Sequence, residues 1–193
     1  MMGVFRQLLT ALRFLLAVTV IVGILYPLVI FGFGQVAMKH QAQGSFVTSN
    51  SRVVGSTLLG QNFPGAMWFH SRPSMAGADG YDALSTASSN AGPDEPSLLA
   101  AVKARRKAVA KEEGVRPSQV SADAVTASAS GLDPDISPAY AYLQASRVAR
   151  QRNLPVGSLN ALIRAQIRPR LFGFIGEPRV NVLELNIALS SLK

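Results

Sequence analysis

A chain of 193 residues with no cysteine has no disulfide framework, and with two histidines it has almost no ligands for zinc. Its formal net charge of +8 raises nucleic acid as a partner. The basic residues, however, fall in short clusters (Lys103 to Lys107, Arg147 to Arg152, Arg164 to Arg170) with few aromatics among them to stack bases. A solvated face or an acidic partner fits better than nucleic acid.

In chain order, the first feature is a stretch from Phe14 to Met38 with no charged residue, bracketed by Arg13 and Lys39. Phe14 to Val36 alone gives about 34 Å of helix, enough for a ~30 Å hydrocarbon core. Gly23, Pro27, Gly32 and Gly34 would break a soluble helix. In a bilayer they are tolerated, and the glycines let a second backbone approach. Pro27 is expected to bend the span. A cleaved signal peptide has a shorter apolar run and small residues at its cleavage site; here the run is longer, and the possible site carries Gln35. The expected organisation is therefore a short cytoplasmic N-terminus (residues 1–13), a transmembrane helix (14–38) and an extracytoplasmic, periplasmic α+β domain (39–193). This makes the chain a single-pass protein in contact with membrane lipid. Arg6 and Arg13 before the span, against Lys39 and then no Lys or Arg until Arg52, set that orientation.

From Lys39 onward there are 17 Lys/Arg and 11 Asp/Glu, leaving the domain near +6. "SFVTSNSRVVGSTLLGQ" reads as one or two short strands, and residues 71 to 96 as a long ordered loop. Leu98, Val102 and Val109 predict a helix over Ser97 to Glu113, with Lys and Arg on its other face. Ser137 followed by Pro138 is an N-cap with proline in the first turn, opening a helix to about Arg152. Pro155 opens another to about Ile167. "RVNVLELNIAL" reads as a strand.

Four chemistries are tested by these residues. Asp133-x-Asp135-x-Ser137 begins like a calcium loop, but Pro138 stands where its glycine belongs and Gln144 where its bidentate Glu belongs. Two carboxylates two residues apart in a proline-rich turn are poorly placed as a general acid and base; bonds from both Asp side chains to nearby backbone N–H groups are expected instead. Gly55 and Gly60 have the spacing of a phosphate-binding loop, but Gln61 and Asn62 replace its Lys and hydroxyl, so a turn at each end of a short strand is expected. His70 lacks a nucleophile elbow and reads as a loop or surface histidine. No catalytic or metal residue emerges, and no cofactor-binding residue is identified.

The blocks "GSTLLGQNF", "WFHSRPS", "SSNAGPDEPSL", "VTASASGLDPDISP", "QASRVARQRNL" and "GFIGEPRVNVLELNIAL" occur in this order behind one N-terminal span. Together they resemble the C subunit of the Kdp potassium-transporting ATPase, over nearly the whole chain. The motif positions are Gly55, Gly60 and Gln61; then Arg72, Pro73 and Ser74; then Asn90, Gly92 and Pro93. They continue with Gly131, Asp133, Pro134, Ser137 and Pro138, with Gln144 and Arg147, and end with Gly176, Glu177, Pro178, Arg179, Asn181 and Asn186. Asp135 sits where the family commonly has His, and "AQIRPRLFG" departs from the usual pattern.

The resemblance implies an accessory, non-catalytic subunit of a high-affinity potassium uptake complex in the bacterial inner membrane. Its partners would be a channel-like K⁺-translocating subunit, a P-type subunit that uses ATP and Mg, and a small peptide subunit. The expected role is assembly and covering of the outer mouth of the channel-like subunit. The alternative is a nucleotide-dependent regulator, a catalytic chaperone that raises the ATP affinity of the pump subunit, in keeping with the ATP-binding inferred for the family.

Overall fold

The computed structural model describes residues 2–49 and 51–192. Met1 of the expected cytoplasmic segment, Asn50 of the expected strand pair and Lys193 of the expected domain lie outside the described residues. The chain divides into two compact units, Met1–Ser45 and Phe46–Lys193.

The first unit is helical from α1 (Met2–Val20) through a π turn (Ile21–Leu25) into α2 (Tyr26–Ala37), followed by the short α3 (Lys39–Ala42). The apolar helix Gly3–Ala37 is 35 residues long, and its best 18-residue window has a mean hydropathy of 2.7; it is long and apolar enough to cross a membrane, and none of that window is buried within the chain. Pro27 explains the π turn. Its ring crowds the carbonyl four residues back, at Gly23, and it has no N–H to offer. The extra residue of a π turn makes room, and Tyr26 N–H reaches back to the carbonyl of Ile21. Helical hydrogen bonding thus continues past the proline.

In the second unit β1 (Phe46–Ser49) and β2 (Arg52–Ser56) form an antiparallel hairpin, with a register shift between Val47 and Thr48. Then comes the long loop, α4 (Pro96–Glu113), a 3₁₀ turn at Pro117–Gln119, β3 (Asp135–Ile136), α5 (Pro138–Arg152), α6 (Val156–Gln166), β4 (Ile167–Arg168), β5 (Arg179–Asn181) and α7 (Val182–Ser190). The second sheet is antiparallel in the order β3-β5-β4. Phe69, Val148, Leu159, Ile163, Val180, Leu185 and Leu189 are fully buried in one core. This is the expected mixed α+β domain, in a chain that also carries one long apolar helix. Ser137 Oγ accepts from Tyr140 N–H at 3.1 Å, so the helix starts where its cap and proline place it.

The C-terminal strand is a correction. Only Arg179–Asn181 is extended, and Val182 begins a helix. Asn181 caps it, its side chain accepting from Glu184 N–H at 3.1 Å. Val182, Leu185, Asn186 and Leu189 then share one face, and all four are buried. A β-branched run followed by a helical period is both a strand and a helix, joined at the asparagine.

Candidate functional site

After a turn over Gly65–Trp68, the segment Phe69–Pro73 belongs to no helix or strand, and no strand pairs with it among the described residues. Side-chain amides replace the missing ladder. Asn186 of α7 accepts from Phe69 N–H and donates to Phe69 C=O, both at 2.9 Å. Gln144 of α5 does the same one residue on, accepting from His70 N–H at 2.7 Å and donating to His70 C=O at 3.1 Å. One turn along the same face, Arg147 donates to the carbonyls of Ala66 (2.7 Å) and Trp68 (2.9 Å), and to Gln144 Oε1 (2.9 Å). Its Nε meets Glu113 at the end of α4, at 2.9 Å. All four polar side chains are buried. Burial of this kind is tolerable because Asn186, Gln144 and Arg147 find partners and Glu113 has the Arg147 charge at Oε1, although its Oε2 accepts no hydrogen bond among the described residues.

Arg147 therefore does not belong to the solvated basic face expected from the sequence. His70 lies in a loop, as one of the two expectations had it, but not on the open surface: it is half-buried, with Nε2 3.1 Å from Gly65 O and Nδ1 3.4 Å from Glu112. Burial, and then the Arg147 charge, lower its pKa below 6.5. It faces a cavity of about 340 Å³ that is also lined by Phe63, Tyr81, Arg105, Glu112 and Tyr140. Burial raises the pKa of Tyr81; burial and then Glu113 raise that of Tyr140. Glu113 is itself raised, by burial against the opposing pull of Arg147. Glu112, Glu113 and Tyr81 were not singled out from the sequence. A signal was present: α4 ends on two acidic residues where the helix dipole disfavours negative charge, so an external cation is called for.

Asp133 and Asp135 line a second cleft, of about 330 Å³, with Arg72, Asp123, Glu177 and Arg179. Asp133 Oδ1 accepts from Asp135 N–H at 3.0 Å, the expected turn bond, while Oδ2 pairs with Arg72 at 2.8 Å. Asp135 differs from expectation: its carboxylate pairs with Arg179 at 2.9 Å. Burial raises its pKa, opposed by Arg179. Asp123 accepts from Ser137 N–H at 2.7 Å, and Glu177 pairs with Arg170 at 2.6 Å. Each carboxylate of the cleft is thus tied to a cation or an N–H. Among the described residues, no group of three or more His, Cys, Asp or Glu is placed to hold a metal.

The remaining motif positions frame these two sites. Gly55 lies within β2 rather than in a turn, correcting that expectation; the Gln61 side chain occupies the place a Cβ there would take. Gly60 N–H donates to Leu132 C=O at 2.7 Å, and a Cβ on Gly60 would stand 2.6 Å from the Asp133 carbonyl. No helix directly follows the Gly55–Gly60 segment, as one does in a phosphate-binding loop. Ser74 Oγ accepts from Ala76 and Tyr81 N–H, and Gly131, at φ +71°, packs on the Ala76 backbone. Val182 N–H donates to Pro134 C=O, and Asn181 also donates to Thr57 C=O at 2.9 Å. Asn90, Gly92 and Pro93 lie in the loop before α4; Gly176 and Pro178 lie in the β4–β5 connection. Pro73 lines the His70 cavity and Pro138 opens α5. Of the four helix-packing positions, Gly32 meets nothing within 4 Å, while Gly23 and Gly34 would make ordinary contacts with Thr19 and Ala42.

The blocks that lie apart in sequence are therefore one structure. Arg72, Asp133, Gln144, Arg147, Asn181 and Asn186 pin the loop from Thr57 to Ser74 onto the core. Residues 8–191 match the family model described as KdpC, the K⁺-transporting ATPase c chain. The chain belongs to the KdpC family. It is similar to the potassium-transporting ATPase KdpC subunit of Gemmatimonas aurantiaca, 49% identical over 187 residues that cover 97% of this chain and 94% of the relative. The KdpC subunit of Mycobacterium tuberculosis is 49% identical over 188 residues, covering 97% and 99%. That of Methylococcus capsulatus is 45% identical over 183 residues, covering 95% and 96%. The KdpC match spans both units, the apolar helix and the domain alike.

Proposed function

We propose that this chain is an accessory, non-catalytic subunit of a potassium-transporting ATPase, held in the bacterial inner membrane by its single span. On this reading its domain lies on the periplasmic side, stabilises the assembly and covers the outer mouth of a channel-like subunit. ATP and Mg are handled by a separate P-type subunit, a small peptide completes the complex, and K⁺ is the cargo. Family membership supports the complex; the structure supports the division of labour. The carrying observation is that Arg72, Asp133, Gln144, Arg147, Asn181 and Asn186 direct their polar atoms at the chain's own backbone or at an opposite charge. Such side chains build a rigid scaffold, and a scaffold presents a surface.

The test pairs topology with transport. A reporter fused behind the domain is expected to be active outside the cytoplasm, and protease added to spheroplasts is expected to reach the domain. Deleting the gene should abolish growth on limiting K⁺. A fully protected domain, or saturable binding of Mg-ATP by the domain at ~0.15 M salt, where exposed charges are screened, would favour a nucleotide-dependent regulator instead.

A further inference from the structure

The connection between β4 and β5 projects as a finger with an apolar tip, "LFGFI". Leu171 N–H donates to Ile175 C=O and Ile175 N–H to Leu171 C=O, both at 2.9 Å. Phe172 and Gly173 turn the chain, at φ +53° and +83°. Two consecutive positive φ values suit Asn-Gly, since a residue with a bulky side chain is strained in that region. Phe172 is nevertheless there and is 79% exposed; Phe174 is 74% exposed, and Leu171 and Ile175 are exposed as well. The fold gains neither burial nor backbone comfort from Phe172. A contiguous apolar tip of this kind marks a contact surface.

The charges at its base decide which surface. Arg168 pairs with Glu184 at 2.6 Å, Arg170 with Glu177 at 2.6 Å and Arg179 with Asp135 at 2.9 Å. Anionic lipid headgroups recruit unpaired cations. This collar offers three neutral pairs around an apolar centre, which is the anatomy of a protein–protein contact: an apolar core inside a polar rim.

We infer that the Leu171–Ile175 finger is a docking element that inserts Phe172 and Phe174 into an apolar pocket, with an uncharged or mixed-charge rim, on the outward surface of the channel-like subunit. The inference rests on the accessory-subunit reading above and adds to it the element that makes the contact.

The experiment uses the full complex. Phe172→Asn with Phe174→Thr removes the apolar tip and places at 172 a residue that accepts positive φ. Domain stability should hold or rise, while recovery of the chain with the channel-like subunit after detergent extraction should fall about tenfold or more, as for a contact hot spot. Leu84→Ser, at a 98% exposed apolar residue outside the finger, should leave recovery unchanged. A photoreactive phenylalanine analogue in place of Phe172 should cross-link to the channel-like subunit. Full recovery of the double variant, or cross-linking to lipid or to the P-type subunit, overturns the finger contact and leaves the subunit reading standing. If the unaltered chain itself fails to co-purify with the other subunits, both fall.

Discussion

Gln144 and Asn186 show how much rests on two amides. Each satisfies the N–H and the C=O of one residue in the neighbouring loop segment, a task normally left to a strand. Gln144→Leu keeps the volume but strands both groups of His70 and one contact of Arg147, and should cost about 3 kcal/mol, at 1–3 kcal/mol per buried unsatisfied group. Urea unfolding of the domain would measure it. Asp133 can be read the same way. Asp133→Asn keeps an acceptor for Asp135 N–H and should retain most of the stability, whereas Asp133→Leu loses the turn bond and leaves Arg72 unpaired, costing ~1–2 kcal/mol. His70 gives a pH signature. Its folded pKa lies below 6.5, so as pH falls the unfolded chain takes up the proton first. Stability present above pH 6.5 is lost as pH drops through 6.5 toward the folded value. His70→Gln should flatten that slope. Glu113 and Asp135 have raised pKa values and act in the opposite sense: they favour the folded state as pH falls toward their unfolded values of 4.5 and 3.8. Comparing the two proteins at equal pH isolates the histidine; identical slopes would mean that its burial carries no proton linkage. The turn bond of Asp133 was legible from the residues alone; the amide bridges and the setting of His70 were not. The sequence places His70 in a loop and Arg147 in a basic cluster, and only the fold brings Glu112, Glu113 and Gln144 to meet them.

At the scale of elements, the chain punctuates itself clearly where caps and prolines act. Ser137-Pro138 and Pro155 open α5 and α6 as read, because a cap and a fixed φ act locally and need no tertiary information. The last eleven residues of the resemblance were harder. Val180 and Val182 satisfy a two-residue period, and Leu185 and Leu189 a 3.6-residue period, so composition alone favours neither. Asn181 decides it, since its side chain both caps α7 and reaches Thr57. Asn181→Ala should lose both bonds and cost about 1–2 kcal/mol; Asn181→Asp, which keeps the cap acceptor but loses the donor to Thr57, should fall between. If the two variants are equally destabilised, the tie to the Thr57 turn matters more than the cap. The span shows a similar limit. A proline in an apolar helix reads as a bend, but how the backbone absorbs it depends on hydrogen-bond registration, and here a π turn does so over Ile21–Leu25.

At the scale of the molecule, the two units have different physics. The domain closes its own core around Phe69 and Leu185, whereas the best apolar window of the span buries nothing within the chain. The domain from Phe46 onward, expressed behind a cleavable signal, should therefore fold and unfold cooperatively by itself. The helix has no such independence of purpose. In lipid it gains nothing by hydrophobic burial, because acyl chains are as apolar as its leucines, so any association must come from close packing at small residues. A Cβ added at Gly32 would meet nothing within 4 Å, which leaves a backbone face that a partner helix can approach. Gly32→Leu should thus leave insertion intact, leucine being the more apolar residue, yet weaken recovery with the channel-like subunit. The anchor-free domain should restore little growth on limiting K⁺ although it is folded. Growth equal to that of the full chain would reduce the helix to a tether and place the whole of the assembly function in the domain and its finger.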